Sequence, residues 1–299
     1  MSRNFRRLLE TRWSSGCFVC VGLDSEYAKI PKSVQKGRSI SQAIVEFNRA
    51  IVDATKDLVC AYKPNLAFYS ARGVEGMSAL YLTILMIHEI APNVPIILDA
   101  KYADIGNTNN GYVETAFEYL QADAVTIHPT LGKEAVQPFL DRVDKGIIVL
   151  CRTSNSGAGE FQDLNTLMLN PRMKPERMTA NDWLEELCNN TMPLYERVAM
   201  NVSKHWNKNG NCALVVGATF PEELAKVRQL IGDMPILVPG IGTQGGDVEK
   251  TIKASKDSQK QGMIINSSRG IIFASKGEDF AQAARHETLS LAEQINQYR

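Results

Sequence analysis

The sequence predicts an α/β fold, a single (β/α)8 TIM barrel domain spanning residues 1–299, and three observations carry that expectation. Short runs rich in Val and Ile alternate with segments of helical period, the signal of a parallel sheet with helical crossovers. Eight such runs fit on a chain of 299 residues, close to the usual length for a barrel. Almost every run ends in a polar residue at its C-terminal edge, where barrel enzymes build their sites. A doubly wound sheet is the competing architecture.

The eight runs cover residues 17–23, 58–63, 95–99, 124–128, 146–151, 212–216, 235–238 and 262–265. Their near-continuous apolarity is what strands covered on both faces require. Ser39 and Gln42 form a capping box ahead of Ile40, Ala43, Ile44, Phe47 and Ile51, which share one helical face. Pro221, Glu222 and Glu223 open another helix, with proline in the first turn and acids at the positive end of the dipole. A last helix runs from about 279 to 297. The one long irregular stretch, about 153–180, exceeds the usual connection length; it is either an active-site loop or a surface excursion, and its start, Thr-Ser-Asn-Ser-Gly-Ala-Gly, favours the former.

Composition removes several function classes. With 44% hydrophobic and 22% charged residues the chain is a folding one. Thirty-three basic residues balance thirty-three acidic ones, which argues against affinity for a phosphate polymer or an anionic membrane: no nucleic acid, no membrane. A small ligand remains. The greasiest stretch, 81–87, is closed by His88 and Glu89, well short of the roughly 20 apolar residues of a span. The first dozen residues are too polar for a secretory core, so a soluble, cytoplasmic protein is expected. Six cysteines lie mostly inside apolar runs and read as buried thiols; Cys17 and Cys20, three apart on a strand, point to opposite faces and close neither a chelate nor a redox pair.

Two constellations carry chemistry. In residues 98–108 Asp99 and Lys101 lie two apart at the end of the third strand, so both side chains project from one face, and Asp104 follows. With Lys63 from the second strand the charges alternate: Lys63, Asp99, Lys101, Asp104. Opposite neighbours favour each charged form, leaving Lys101 an ammonium able to stabilise and protonate a carbanion. The alternative is an ordinary salt-bridge cluster closing the barrel top.

The second constellation suits phosphate. The seventh strand leads into Pro239 and a glycine-rich loop with Gln244, and the eighth into Asn-Ser-Ser-Arg-Gly with Arg269 and Gly270. These are the loops where barrels commonly hold a phosphate, with backbone N–H groups and a guanidinium as donors. Asp24 is either an acceptor for sugar hydroxyls or a turn residue. The four histidines form no metal triad: His128 reads as a rim residue, and His88, His205 and His286 as helix-surface groups.

At these residues the sequence resembles the orotidine 5′-phosphate decarboxylase family, in its longer-chain branch, from about residue 18 to 274. The resemblance rests on Val-Gly-Leu-Asp (21–24), Tyr-Lys-Pro-Asn (62–65), Asp-Ala-Lys-Tyr-Ala-Asp-Ile-Gly-Asn-Thr (99–108) and Thr-Ser-Asn-Ser-Gly-Ala-Gly (153–159). Val-Val-Gly-Ala-Thr (215–219), Val-Pro-Gly-Ile-Gly-Thr-Gln-Gly-Gly (238–246) and Asn-Ser-Ser-Arg-Gly (266–270) complete it.

The resemblance implies a lyase that decarboxylates orotidine 5′-monophosphate to UMP and CO2 without metal or organic cofactor. Lys101 would be the proton donor to C6, and Lys63, Asp99 and Asp104 would complete its charged network. Asp24 would hold the ribose, Ser154 the pyrimidine, and Gln244 with Arg269 and Gly270 the phosphate; Pro239 would line the closing loop. The family implies a homodimer in which Asp104 and Thr108 reach the neighbouring site, and it also occurs fused to orotate phosphoribosyltransferase. Ser156 departs from the proline common in that loop, and no contacting group is lost by it. The competing readings are a metal-dependent sugar-phosphate decarboxylase or synthase on the same barrel, and a non-catalytic nucleotide-binding barrel.

Overall fold

Eight parallel strands form the inner ring of the structure, a computed structural model that describes residues 3–167, 179–241 and 247–299. In chain order the strands are β1 (Val19–Leu23), β2 (Val59–Pro64), β3 (Ile97–Tyr102), β4 (Ala124–Ile127) and β5 (Gly146–Arg152). After a short antiparallel pair, β6 (Asn165–Leu167) with β7 (Thr191–Pro193), the ring resumes with β8 (Cys212–Val216), β9 (Ile236–Pro239) and β10 (Met263–Ser267). Neighbours run β2-β1-β10-β9-β8-β5-β4-β3, and parallel bridges Tyr62↔Ile96 and Asn65↔Asp99 join the two ends. That closure rules out the doubly wound sheet, which would leave open edges.

All eight expected runs are strands, displaced by a few residues at their ends. Every residue of β1, β2, β4, β5 and β8 is buried. Inward side chains fill the barrel and outward ones meet the helices, so apolar residues are demanded on both faces; each buried Leu, Ile or Val contributes roughly 1.5–3 kcal/mol.

The helices follow their sequence marks. Ile40–Thr55 begins at a complete capping box, with Ser39 Oγ accepting from the Gln42 N–H at 3.3 Å and Gln42 Oε1 accepting from the Ser39 N–H at 3.0 Å. Its Ala43, Ile44, Phe47 and Ile51 are buried. Pro221–Ile231 starts on its proline, and the last helix is Phe280–Tyr298. The 153–180 stretch is less irregular than expected: it holds a four-residue helix, Gly159–Gln162, and strand β6, while 168–178 lie outside the described residues.

An unanticipated helix, Phe5–Ser14, closes the base of the barrel. Asn4 caps it, and Phe5, Leu9 and Trp13, four apart, turn one apolar stripe inward. Trp13 Nε1 donates to the Met263 carbonyl at 2.9 Å, and Arg3 pairs with buried Asp123 at 2.7 Å. The Phe5 ring occupies the space beside Gly146, where any Cβ would stand 2.2 Å from Cδ1.

Candidate active site

The C-terminal ends of the ring strands open into a cavity of about 560 Å³. Of the residues singled out from sequence, Asp24, Lys63, Asp99, Lys101, Ser154, Pro239 and Arg269 line it. A neighbouring, more apolar cavity of about 750 Å³ shares His128, Leu150, Phe161 and Gln162 with it but holds none of those seven.

Asp99 is the centre of the charge cluster. Its Oδ2 accepts from Lys63 Nζ at 2.7 Å and its Oδ1 from Lys101 Nζ at 2.6 Å. Lys63 and Asp99 side chains are 5% and 10% exposed, whereas Lys101 is 45% exposed and reaches the open cavity. Burial alone would push the Asp99 carboxyl up, but the Lys63 and Lys101 ammonium groups outweigh it and hold it well below the usual carboxylate range. Burial would likewise lower Lys63; the Asp99 and Asp24 charges prevail and hold it above the usual lysine range. Asp99 therefore remains a carboxylate at neutral pH. His128, which also lines the cavity, is held below the usual histidine range by burial and by Lys101.

The backbone that presents Lys101 is not a regular strand. Lys101 has φ +52°, and the pairing of β3 with β4 slips between Leu98 and Tyr102, with Leu98 opposite Val125 and Tyr102 opposite Ile127. Two extra residues are thus accommodated on β3. Simple two-residue alternation, the basis for placing Asp99 and Lys101 on one face, does not describe this segment; a bulge brings the two side chains together instead. Buried Thr126 sits opposite the bulge. It was not anticipated, because a threonine in Ala-Val-Thr-Ile looks like any β-branched strand residue.

Around the cluster are groups suited to a polar ligand. Asp24 Oδ1 and Asn266 Oδ1 are buried acceptors with no partner among the described residues, and both residues line the cavity. Such atoms are costly unless a ligand or water supplies a donor. Ser154 is pressed against Gly217, where a Cβ would stand 2.7 Å from Ser154 Cβ, and its carbonyl accepts from Thr219 Oγ1 at 3.3 Å. Gln162, also missed from sequence, braces the loop: its Oε1 accepts from the Thr153 N–H at 2.8 Å.

Several of the expected residues lie away from the cavity of their own chain. Asp104 and Thr108, which the resemblance assigns to a neighbouring site, do not line it: Asp104 Oδ1 accepts from the Ile105 N–H at 2.7 Å and Thr108 is exposed. The alternation of four charges therefore stops at three in a single chain. Gly270, in the short helix Arg269–Ile272, lines an adjoining depression with Ile241 and Ser267 rather than the main cavity. Arg152, at a strand end, turns away from the cavity to Asp163 at 3.1 Å and stacks on Phe220 at 4.4 Å. His88 is half-buried, with Nε2 2.9 Å from the Gln121 carbonyl oxygen, and is no free surface group. Gln244 lies outside the described residues. All six cysteines are free thiols. Among the described residues no three His, Cys, Asp or Glu side chains converge to hold a metal ion.

A closed barrel whose C-terminal mouth gathers Lys63, Asp99, Lys101 and Arg269 around one cavity defines a class: (β/α)8 barrel enzymes with a charged site at the strand ends. Within that class, residues 18–285 match the family described as orotidine 5′-phosphate decarboxylase / HUMPS, and the chain belongs to that family. It is 46% identical over 294 residues to orotidine 5′-phosphate decarboxylase of Cellvibrio japonicus, covering 98% of each chain. To the enzyme of the same name from Azoarcus sp. it is 47% identical over 297 residues, covering 99% of this chain and 100% of that one. Among solved structures it resembles Leishmania donovani OMP decarboxylase, with TM-score 0.74 and 33% identity over 97% of this chain and 99% of that one. It also resembles Leishmania donovani UMP synthase, with TM-score 0.79 and 35% identity; all of this chain is covered, but it spans only 57% of that longer one.

Proposed function

We propose that this chain decarboxylates orotidine 5′-monophosphate to UMP and CO2, with Lys101 as the group that stabilises and protonates the reacting carbon. Breaking the C6–carboxylate bond leaves an electron pair in an in-plane orbital at C6, which the pyrimidine ring cannot delocalise. Fixed positive charge must meet it. Lys101 reaches the cavity from a bulge, and Asp99 holds its Nζ at 2.6 Å. That geometry is the observation that carries the reading. The proton then passes from Nζ to C6, the N–H electron pair stays on nitrogen, and water returns a proton to Lys101.

Asp99, ionised between two lysines, lies where the departing carboxylate would be repelled; once neutral CO2 has left, that repulsion is gone. Lys63 keeps Asp99 charged from the buried side. Asp24 offers its unpartnered carboxylate oxygen to ribose hydroxyls, Ser154 contacts the pyrimidine, Arg269 grips the phosphate, and Pro239 lines the loop beside it. Gly270 borders this phosphate grip from the adjoining depression. Phosphate binding away from C6 contributes energy that assembles the charged site.

The working unit is one barrel domain over residues 1–299, paired as a homodimer. Two observations support the pairing: Asp104 and Thr108 face out of their own cavity, and Ile105 between them is 59% exposed. A partner cavity receiving Asp104 would restore the fourth charge. The reaction belongs to de novo pyrimidine synthesis, a cytoplasmic pathway in this reading. Separately, no helix among the described residues is long and apolar enough to cross a membrane.

The test is loss of orotidine 5′-monophosphate absorbance with formation of UMP, followed with and without a chelator. Turnover unaffected by chelation is expected. No turnover, or turnover abolished by chelation, overturns the reading.

A further inference from the structure

The Thr126 hydroxyl reaches both the backbone and the carboxylate that define the Lys101 position. It is buried in an otherwise apolar strand, where an unbonded hydroxyl would be costly. Its Oγ1 accepts from the Lys101 N–H at 2.9 Å and donates to Asp99 Oδ1 at 2.9 Å. Asp99 Oδ1 in turn accepts from Lys101 Nζ at 2.6 Å. These three bonds form a closed ring: Lys101 amide, Thr126 hydroxyl, Asp99 carboxylate, Lys101 ammonium.

The ring matters because Lys101 is in the left-handed region, at φ +52°, which a lysine does not adopt for free. The bulge also removes its N–H from the regular ladder with β4, so the amide needs another acceptor. We propose that Thr126 is a positioning residue: its hydroxyl fixes the turn at Lys101 and the orientation of Asp99, and so aims Nζ at the reacting carbon. A valine there would have the same shape but supply neither bond. The amide would be stranded, the carboxylate would lose a donor, and the ammonium would sample positions away from C6.

The assignment rests on the proposed decarboxylation, and the test separates the two. Wild type, Thr126→Val and Thr126→Ser are compared for kcat and KM on orotidine 5′-monophosphate, for UMP dissociation constant and for melting temperature, at a temperature where all are folded. Thr126→Val is expected to lower kcat by about 10- to 100-fold. UMP affinity should stay within about threefold, because the phosphate and ribose groups are untouched. Thr126→Ser, which keeps the hydroxyl, should recover most of the rate. Should the valine chain not fold, Thr126→Ala makes the same comparison. The assignment fails if the variant lacking the hydroxyl keeps kcat near wild type, if serine is as slow as that variant, or if UMP binding falls in step with kcat. A wild type that leaves the substrate unchanged overturns the decarboxylation itself, whereas an active wild type with an equally active valine variant overturns only the role of Thr126.

Discussion

Lys63 and Asp99 form an ion pair at 2.7 Å in which the side chains are only 5% and 10% exposed. Such a pair is held by its geometry, and losing one member leaves a desolvated charge behind. Lys63→Ala is therefore expected to destabilise the fold by about 3–5 kcal/mol, read from urea denaturation. A loss below about 1 kcal/mol, the scale of a surface pair, would mean that the pair is solvated in solution.

The same pair sets a pH dependence with a definite sign. Asp99 titrates lower in the folded chain than its ordinary 3.8, so its contribution is complete above that value and is lost as pH falls through the folded one. Lys63 titrates above its ordinary 10.5, so its contribution is complete below that value and is lost as pH rises through the folded one. The stability difference between wild type and a Lys63→Met, Asp99→Leu double variant should be flat from about pH 5 to pH 9 and shift towards the double variant below about pH 4. A difference unchanged at about pH 2 would contradict the assignment of charge to Asp99.

Arg269→Ala should weaken UMP by about 10- to 100-fold, the scale of a charge-assisted bond, and leave uridine nearly unaffected. Isothermal titration with both ligands reads the contrast. Equal losses for the two would place Arg269 elsewhere than on the phosphate.

How much of this was legible in the residues depends on what each element buries. The eight ring strands were, because β5 and β8 are apolar on both faces and leave a continuous run. The capping box at Ser39 and the proline start at Pro221 are local signals, and local geometry honours them. Strands β6 and β7 carry no such signal: their residues are exposed or half-buried, so no periodicity marks them. Phe5, Leu9 and Trp13 do share a helical stripe, but it is dispersed among basic residues. In the site, charge type and position along the chain pointed to Lys63, Asp99, Lys101 and Arg269. The bulge at Lys101 was not legible, since a left-handed lysine resembles any other in sequence, and Thr126, its partner, was hidden with it. Asp104 and Thr108 do not line the cavity of their own chain, and nothing in the local pattern of residues marks them as lying outside it.

If the sites are shared across a homodimer, two inactive variants should rescue one another. Lys101→Ala and Asp104→Ala, each lacking a different side of the site, regain up to about a quarter of wild-type activity when mixed, dissociated and reassociated, because each mixed dimer has one intact site. Sedimentation of the same mixture reports the dimer. Activity that stays at the level of the separate variants would argue that Asp104 serves its own chain or neither.

The most direct test of the account is the rate of orotidine 5′-monophosphate decarboxylation by Lys101→Ala against wild type, on chains shown to be folded by their melting temperatures. Lys101 is 45% exposed at the barrel mouth, so its loss should leave the fold intact. The account predicts a fall in kcat of at least about 1,000-fold, with UMP binding largely retained. A folded Lys101→Ala chain that turns over substrate within about tenfold of wild type would contradict it.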